Sequence, residues 1–203
     1  GWRQVPINNS VIGEKANSTR PEIEQVMFVN NIERGKNFDY SKELYLVRRR
    51  LEKRIAKQQI NGFYVCSLSF ESIIYKGLFL AEQLSIFYPD LANESFVSSY
   101  AVFHQRYSTN TFPSWGLAQP FRMLAHNGEI NTISGNTNWM RNHQTRIASE
   151  IFGDDSEQVK PIIEKNVSDS AALDAAFELY VRAGRSVPLV KTLLMPEAWS
   201  KRS

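Results

Sequence analysis

The chain has 203 residues, of which 42% are hydrophobic and 22% charged, and its formal net charge is +3. This length allows one domain with a sizeable core, and the small charge gives no support to nucleic acid or an anionic membrane as a partner. Its one cysteine excludes an internal disulfide, and no apolar run approaches the roughly 18 residues that span a bilayer.

The first third of the sequence predicts loops around one long helix. Residues 1–24 are rich in Asn, Ser, Pro and charge and predict loop with a short helix, and residues 25–29 predict a strand. Residues 41–59 predict the clearest helix of the chain, which an Asn-Gly pair stops. Its apolar residues recur at helical spacing and form one stripe: Leu44, Val47, Leu51 and Ile55.

The opposite face of this helix is basic and carries Arg48, Arg49, Lys53 and Lys57. Such a face is typical of a solvated helix surface, which is the interpretation we favour. The alternative is a nucleic-acid patch, but that requires stacking partners, and the nearby aromatic residues are not interleaved with the charges. The chain is therefore predicted to bind no nucleic acid.

Short apolar and aromatic runs in the rest of the chain predict four strands. These strands lie at 63–69, 73–80, 98–107 and 121–126. The first two predict a β-hairpin. Further helices are predicted over 82–89, 136–147, 171–183 and 187–195. Strands and helices occur in blocks rather than in strict alternation, which favours an α+β fold with antiparallel sheet.

Cys66 is the only thiol and lies in a predicted strand, where a cysteine usually acts as a small buried hydrophobe. No basic residue flanks it to lower its pKa. His104, His126 and His143 are far apart in the sequence and no cluster of Cys or carboxylate accompanies them. No metal site is therefore predicted.

Residues 100–139 contain a pattern that core packing does not explain. Arg106 lies at the end of a predicted strand, and hydroxyl and amide side chains follow it. A guanidinium grips a carboxylate as a fork, and neighbouring hydroxyls complete the hydrogen bonds. Taken alone, Arg106 would more often form a surface ion pair, so the prediction of a site depends on the motif that comes next.

Asn127 and Gly128 end the following predicted strand. The asparagine side-chain amide and the glycine backbone N–H are two donors that can converge on one oxygen, as an oxyanion hole requires. Glycine also lets the backbone approach a substrate closely. By itself an Asn-Gly pair more often forms a type I′ hairpin turn, so its combination with Arg106 is what indicates a binding site.

These motifs resemble the glutaminase (class II amidotransferase) domains of glutamate synthases. The resemblance is carried by His-Gln-Arg-Tyr-Ser-Thr-Asn-Thr-Phe-Pro at 104–113 and by Leu-Ala-His-Asn-Gly-Glu-Ile-Asn at 124–131. Gly-Asn-Thr-Asn-Trp-Met at 135–140, Ser-Asp-Ser at 168–170 and Pro-Glu-Ala-Trp at 196–199 fit the same family. The resemblance covers essentially the whole chain, 1–203, as part of a single domain.

The resemblance implies an N-terminal-nucleophile (Ntn) hydrolase fold, a four-layer αββα sandwich with two antiparallel sheets between helices. It also implies hydrolysis of glutamine to glutamate and ammonia through a cysteinyl thioester. Arg106 matches the residue that binds the substrate α-carboxylate, with Thr109 in support. Asp169 matches the carboxylate that holds the α-amino group, and Asn127 and Gly128 match the oxyanion hole.

The family's nucleophile is a cysteine at the mature N-terminus, whose own α-amino group serves as the base. Position 1 here is Gly1, and the resemblance puts Cys66 on a core strand. We therefore expect an interior fragment that lacks the N-terminal part of the domain and does not turn over glutamine by itself. One alternative is a non-catalytic module that binds an amino acid through Arg106 and Asp169. Another is an intact enzyme that uses Ser10 or Cys66, although neither has a positioned base in the sequence.

For the complete enzyme, the resemblance implies a synthase part with FMN and an iron–sulfur cluster, where 2-oxoglutarate is aminated and reduced. The chain has no binding motif for either group. The expected partners are glutamine, the remaining domains of the same polypeptide and a small reductase subunit, and the expected location is the cytoplasm. The sequence leaves the electron donor open between NADPH, NADH and ferredoxin.

Overall fold

The computed structural model describes residues 1–29, 35–36, 38–106, 112–128, 130, 133–146, 151–165 and 167–195. The strands in these ranges are β1, Trp2–Gln4, and β2, Glu24–Val26. The α-helices are α1, Glu14–Ser18; α2, Tyr40–Lys57; α3, Leu84–Phe87; α4, Ile133–Gln144; α5, Asp169–Arg182; and α6, Val187–Leu194. Stretches of 3-10 helix lie at Asn9–Val11, Ala81–Gln83, Pro89–Ala92, Trp115–Leu117 and Gly153–Val159. Among the helices described, none is long and apolar enough to span a bilayer.

The two strands pair in antiparallel fashion, with Trp2 opposite Val26 and Gln4 opposite Glu24. The strand predicted at 25–29 is confirmed in part, since β2 begins one residue earlier and ends at Val26. β1 lies in a segment whose composition predicts loop, while the short helix expected there is α1. A strand of three residues is too short for an alternating pattern to reveal it.

The helices lie close to where the sequence predicts them. α2 begins after Asp39, whose carboxylate accepts the Lys42 N–H at 2.9 Å. α5 begins after Ser168, whose hydroxyl accepts the Ala171 N–H at 3.1 Å, and it is followed by Gly184 with φ +86°. These caps satisfy backbone groups that the end turns leave without helical partners. The predicted helices are confirmed in the described residues, with ends shifted by up to three residues.

The strand predictions at 63–69, 73–80, 98–107 and 121–126 are wrong for the residues that the structure describes, which exclude residue 107. At two of these segments a side chain replaces the backbone partner. The Ile74 N–H donates to Ser67 Oγ at 3.3 Å, and the N–H groups of Met123 and Leu124 donate to Asp174. A ladder needs backbone acceptors on a neighbouring strand. The described residues accordingly form one two-stranded sheet rather than the two packed sheets of the expected sandwich.

Two apolar clusters hold the described residues together. The first joins α2, α5 and the 152–163 segment through Tyr45, Leu46, Phe152, Val159, Ile162, Ile163, Ala172 and Leu179. The second packs the N-terminal segment against α3 and its flanks through Val5, Phe87, Tyr88 and Trp115. The first cluster fixes the position of α5, the helix that supports the candidate site.

α2 turns Arg48 and Arg49 toward the protein interior, so the prediction of a solvated basic face is wrong for these two residues, whereas Lys57 of that face is exposed. Arg48 is only 3% exposed, whereas Val47 and Leu51 of the predicted apolar stripe are 41% and 39% exposed. The Arg48 guanidinium lies 2.5 Å from Glu178 of α5 and 2.7 Å from Glu52. The orientation of α2 therefore follows these ion pairs as well as its apolar contacts.

Arg49 shares this buried environment. Its guanidinium lies 2.8 Å from Glu52 and donates to the Pro161 carbonyl at 2.5 Å. Burial opposes the charge on Arg48, but Glu178 and Glu52 together hold the pKa of Arg48 above its usual value. A buried cation is stable only when acidic groups reach it. α5 supplies one of these groups, Glu178.

Replacing Glu178 by glutamine is expected to destabilise the chain by about 3 kcal/mol, because it leaves the buried Arg48 without its interhelical partner. Urea unfolding followed by circular dichroism measures this change. Glu157→Gln is the matched control, because Glu157 pairs with Lys160 at the surface, where such pairs contribute little. Equal midpoints for the two variants would show that the interhelical pair does not hold α2 to α5.

Candidate functional site

The Asn127-Gly128 pair belongs to a segment that folds back on itself just before it. The Phe121 N–H donates to the Leu124 carbonyl at 2.8 Å and closes a turn. The Gln119 side chain then brackets His126, with its amide donating to the His126 carbonyl at 3.0 Å and its oxygen accepting the His126 N–H at 2.9 Å. The Gln119 amide thus bonds the backbone of His126 as a neighbouring strand would, and it fixes the backbone position just before Asn127.

Asn127 and Gly128 are both exposed, as groups that meet a ligand must be. The Gly128 N–H donates to His126 Nδ1 at 3.1 Å, so an oxygen that binds this N–H has to displace the imidazole. A Cβ added to Gly128 would come within 3.3 Å of the same nitrogen. A side chain at this position would require the imidazole to shift by a few tenths of an ångström, a contact that glycine avoids.

Asp169 is buried at the start of α5, directly after the helix cap. Its Oδ1 accepts the Ser170 N–H at 2.7 Å, and its Oδ2 accepts the Ile130 N–H at 3.3 Å. The second bond brings the acid to the segment that carries Asn127 and Gly128. An anion also suits the first turn of a helix, where the helix dipole is positive. The structure thus places Asp169 against a residue two positions after Gly128.

Arg106 is exposed, and its described contact is local, since its backbone N–H donates to His104 Nδ1 at 3.2 Å. No ion pair among the described residues joins Arg106 to Asp169. Thr109 lies outside the described residues. Both predicted halves of the site include a histidine that accepts the backbone N–H two residues later. His104 accepts from Arg106, and His126 accepts from Gly128.

Cys66 is half-buried, and its thiol faces the Ile74 carbonyl at 3.6 Å. Burial raises the pKa of this thiol, although Lys76 and Arg122 act in the opposite direction. A raised pKa disfavours the thiolate, which is the nucleophilic form. The expectation that Cys66 acts as a structural residue agrees with this environment, although the core strand expected around it is absent from the described residues.

Asp174 and Gln119 also support the site, although neither is among the residues predicted from the sequence. Asp174 is 2% exposed and lies on α5 between the buried residues Ala172 and Ala176. An acid on a buried helix face requires hydrogen-bond donors, and that position is the signal from which a sequence could identify it. Gln119 has no such signal, because its role depends on a turn that only the folded backbone reveals.

Burial is the main cause that raises the pKa of Asp174 to about 6. The Met123 N–H lowers it, the neighbouring Glu178 raises it, and the Arg122 guanidinium lowers it. The carboxyl is thus mostly ionised at neutral pH, and its burial makes the ionised form less stable than it would be in water. Asp174 is an ionisable group beside the candidate site with a pKa near neutrality, which is common at functional sites.

One protein family matches the chain over its whole length. A model of the class-II glutamine amidotransferases matches residues 1–203. The chain belongs to this family. The family membership agrees with the Arg-Tyr-Ser-Thr and His-Asn-Gly motifs, from which the sequence alone predicts a glutamine amidotransferase.

Within this family the chain is similar to glutamate synthases. It is 60% identical over 199 residues to the glutamate synthase [NADPH] large chain of Azospirillum brasilense, covering 98% of this chain and 13% of the relative. It is 46% identical over 200 residues to the chloroplastic ferredoxin-dependent glutamate synthase of Spinacia oleracea, covering 98% and 12%. It is 43% identical over 203 residues to the glutamate synthase [NADPH] large chain of Bacillus subtilis, covering 100% of this chain and 13% of the relative. The chain thus spans 12–13% of the length of these relatives.

The stability difference between the wild-type chain and Asp174→Asn is expected to depend on pH. Because the folded pKa of Asp174 lies above the ordinary value of 3.8, the protonated carboxyl adds stability that is lost as pH rises from about 4 through about 6. The variant has no such titration, so wild-type stability should fall relative to it by up to about 3 kcal/mol. Urea unfolding of both proteins across this range measures the difference, and a constant difference would contradict the raised pKa.

Proposed function

We propose that this chain is the glutamine-holding part of a glutamate synthase, within the domain that hydrolyses glutamine to glutamate and ammonia. The observation that carries this proposal is the 60% identity over 98% of the chain to a glutamate synthase large chain. Because the chain corresponds to a small share of these relatives, amination and reduction of 2-oxoglutarate belong to the rest of such a polypeptide.

In this proposal, charge complementarity holds the substrate. Arg106, supported by Thr109, binds the α-carboxylate, because a guanidinium offers two parallel donors to it. Asp169 binds the α-ammonium group. The 3.3 Å contact of Asp169 with the Ile130 N–H supports this role, because it places the acid beside the residues that follow Gly128. Opposite charges at the two groups select an α-amino acid over a simple amide.

Asn127 and Gly128 stabilise the oxyanion that forms when a thiolate attacks the glutamine side-chain amide. Their exposure supports this role, and the donors act only on the charge that develops in the transition state. The Gly128 N–H exchanges its His126 acceptor for the substrate oxygen. The nucleophile is an N-terminal cysteine outside these 203 residues, whose single cysteine is Cys66 with its raised pKa. Turnover then requires residues that this sequence does not contain.

The complete domain has the four-layer αββα sandwich of the Ntn hydrolases. Several large apolar side chains of the 100–112 region support this proposal, because they are 61% to 95% exposed. They are Tyr100, Val102, Phe103 and Phe112. Such a row needs a covering layer, and further strands of the same domain would supply it.

The cofactors of the synthase reaction, FMN and an iron–sulfur cluster, are assigned to other parts of the polypeptide. A cluster needs about four cysteine ligands, and this chain has one cysteine. Its residues therefore do not fit a cluster. The names of the relatives include both NADPH and ferredoxin. Residues beyond this chain therefore determine the electron donor and whether a reductase subunit binds. A cytoplasmic location stays a prediction, since one relative is named chloroplastic.

Binding of glutamine by the 203-residue chain tests the substrate-holding role directly. Replacing Arg106 by alanine should weaken glutamine binding by about 10- to 100-fold, because a charged hydrogen bond contributes roughly 1.5–3 kcal/mol. Isothermal titration with glutamine measures the change. Arg54→Ala is the matched control, because Arg54 is an exposed arginine of α2. Unchanged affinity in Arg106→Ala would contradict the carboxylate grip.

Glutamine hydrolysis in a polypeptide that contains this region together with its N-terminal cysteine tests the oxyanion role. Asn127→Ala should lower kcat by about 10²- to 10³-fold with little change in KM, because the donor acts in the transition state. Glutamate release measures the rate. The control is Asn142→Ala, which removes an exposed amide from α4. A rise in KM at unchanged kcat would instead make Asn127 a ground-state binding residue.

A further inference from the structure

We propose that Asp174 is a positioning residue for the oxyanion donors, which it holds in place by fixing the backbone turn that leads to Asn127 and Gly128. This inference rests on the proposed function of those two residues. Asp174 touches neither glutamine nor the reacting atoms. It acts through the backbone that it binds.

The carboxylate of Asp174 accepts three consecutive backbone N–H groups. Oδ1 accepts from Met123 at 2.8 Å and from Leu124 at 3.0 Å, and Oδ2 accepts from Arg122 at 3.3 Å. Three bonds to adjacent peptide groups fix the direction in which the chain leaves the turn. Since the Asn127-Gly128 pair begins only three residues later, a rotation of this turn displaces both donors.

The same helix holds the other side of the pair. Asp169 lies five residues before Asp174 on α5 and accepts the Ile130 N–H at 3.3 Å. α5 therefore binds the segment on both sides of Asn127 and Gly128 through two acids that one rigid helix spaces. An oxyanion hole depends on donors that are in place before charge develops. A rigid helix that binds the backbone on both sides of the donors keeps them in place.

The charged groups near Asp174 are engaged elsewhere, which leaves its oxygens to the backbone. On α5, Glu178 pairs with Arg48 at 2.5 Å. The Arg122 guanidinium donates to the Val65 carbonyl at 2.5 Å and to Glu52 at 3.3 Å. From the 73–80 segment, Lys76 donates to the Gly116 carbonyl at 2.8 Å. No ion pair among the described residues joins Asp174 to a cation, so backbone donors are what its charge stabilises.

An asparagine at this position cannot reproduce the arrangement. It has the same shape, but its amide nitrogen is a donor and would face the Arg122 N–H. Charge-assisted bonds are also stronger than neutral ones. Protonation of the carboxyl has a similar effect, because it removes the charge and some of the acceptor capacity. The ionised state thus holds the turn more firmly even though its burial costs overall stability.

Amide hydrogen exchange of the 203-residue chain tests the geometric part without reference to catalysis. Asp174→Asn should raise exchange by about tenfold or more at residues 122–124, 128 and 130, whose N–H groups are hydrogen-bonded, because local opening becomes easier. Glu178→Gln is a control on the same helix that breaks the pair with Arg48, and Glu52→Gln removes contacts to the Arg48, Arg49 and Arg122 side chains but none to the backbone of residues 122–124. Both controls should spare these amides relative to their effect elsewhere, with folding checked by circular dichroism. Unchanged exchange in Asp174→Asn would overturn the proposal.

Glutamine hydrolysis in the longer polypeptide with its N-terminal cysteine tests the functional part. Asp174→Asn should lower kcat by about 10- to 100-fold with KM within about twofold, since a small misplacement of a catalytic donor has this effect. The acid limb of the wild-type kcat profile near pH 6 should also flatten in the variant. Equal losses of kcat in Asp174→Asn and Glu52→Gln, or an unchanged acid limb, would overturn the positioning role. If the wild-type polypeptide hydrolyses no glutamine, the proposed function fails, and the exchange experiment still decides whether Asp174 fixes the segment.

Discussion

The buried ion pair between Arg48 of α2 and Glu178 of α5 is the interaction on which the arrangement of the described residues depends. A guanidinium that is almost fully buried must be met by acids, and Glu178 and Glu52 lie within 2.7 Å of it. This requirement sets the rotation of α2 about its axis. It also fixes α2 against α5, with the apolar cluster of Tyr45, Leu46 and Leu179 beside it.

α5 then serves as the common support of both the core and the candidate site. Glu178 points toward α2, while Asp174 and Asp169 bind the backbone around Asn127 and Gly128. Three acids on one helix therefore have three different partners: a guanidinium, a turn and the backbone beyond the oxyanion pair. The acids of α5 support the 121–130 segment, since no strand ladder holds the described residues of that segment.

Local and non-local features differ in how well the sequence predicts them. The helices are predicted to within a few residues because spacing, caps and the glycine after α5 are local signals. The strands at 63–69 and 121–126 are not found, because an apolar run becomes a strand only when a partner supplies the ladder. In the 121–126 segment, Asp174 and Gln119 supply acceptors instead. The burial of Arg48 on α2 is a similar case, since its interhelical partner is Glu178, 130 residues further along the chain.

The sequence by itself determined the family and the site candidates, because Arg106, Asn127 and Gly128 lie in long motifs whose chemistry is specific, and Asp169 lies in a shorter motif that fits the same family. The tertiary structure decided what each of them contacts: Asp169 accepts the Ile130 N–H, two positions after Gly128, while the described contact of Arg106 remains local. It also gave the Gly128 N–H an acceptor in His126 and Asp174 a role. These contacts join residues that are distant in sequence or depend on the path of the backbone through a turn. A local pattern of residue types encodes neither the spatial separation of distant residues nor the direction of the backbone.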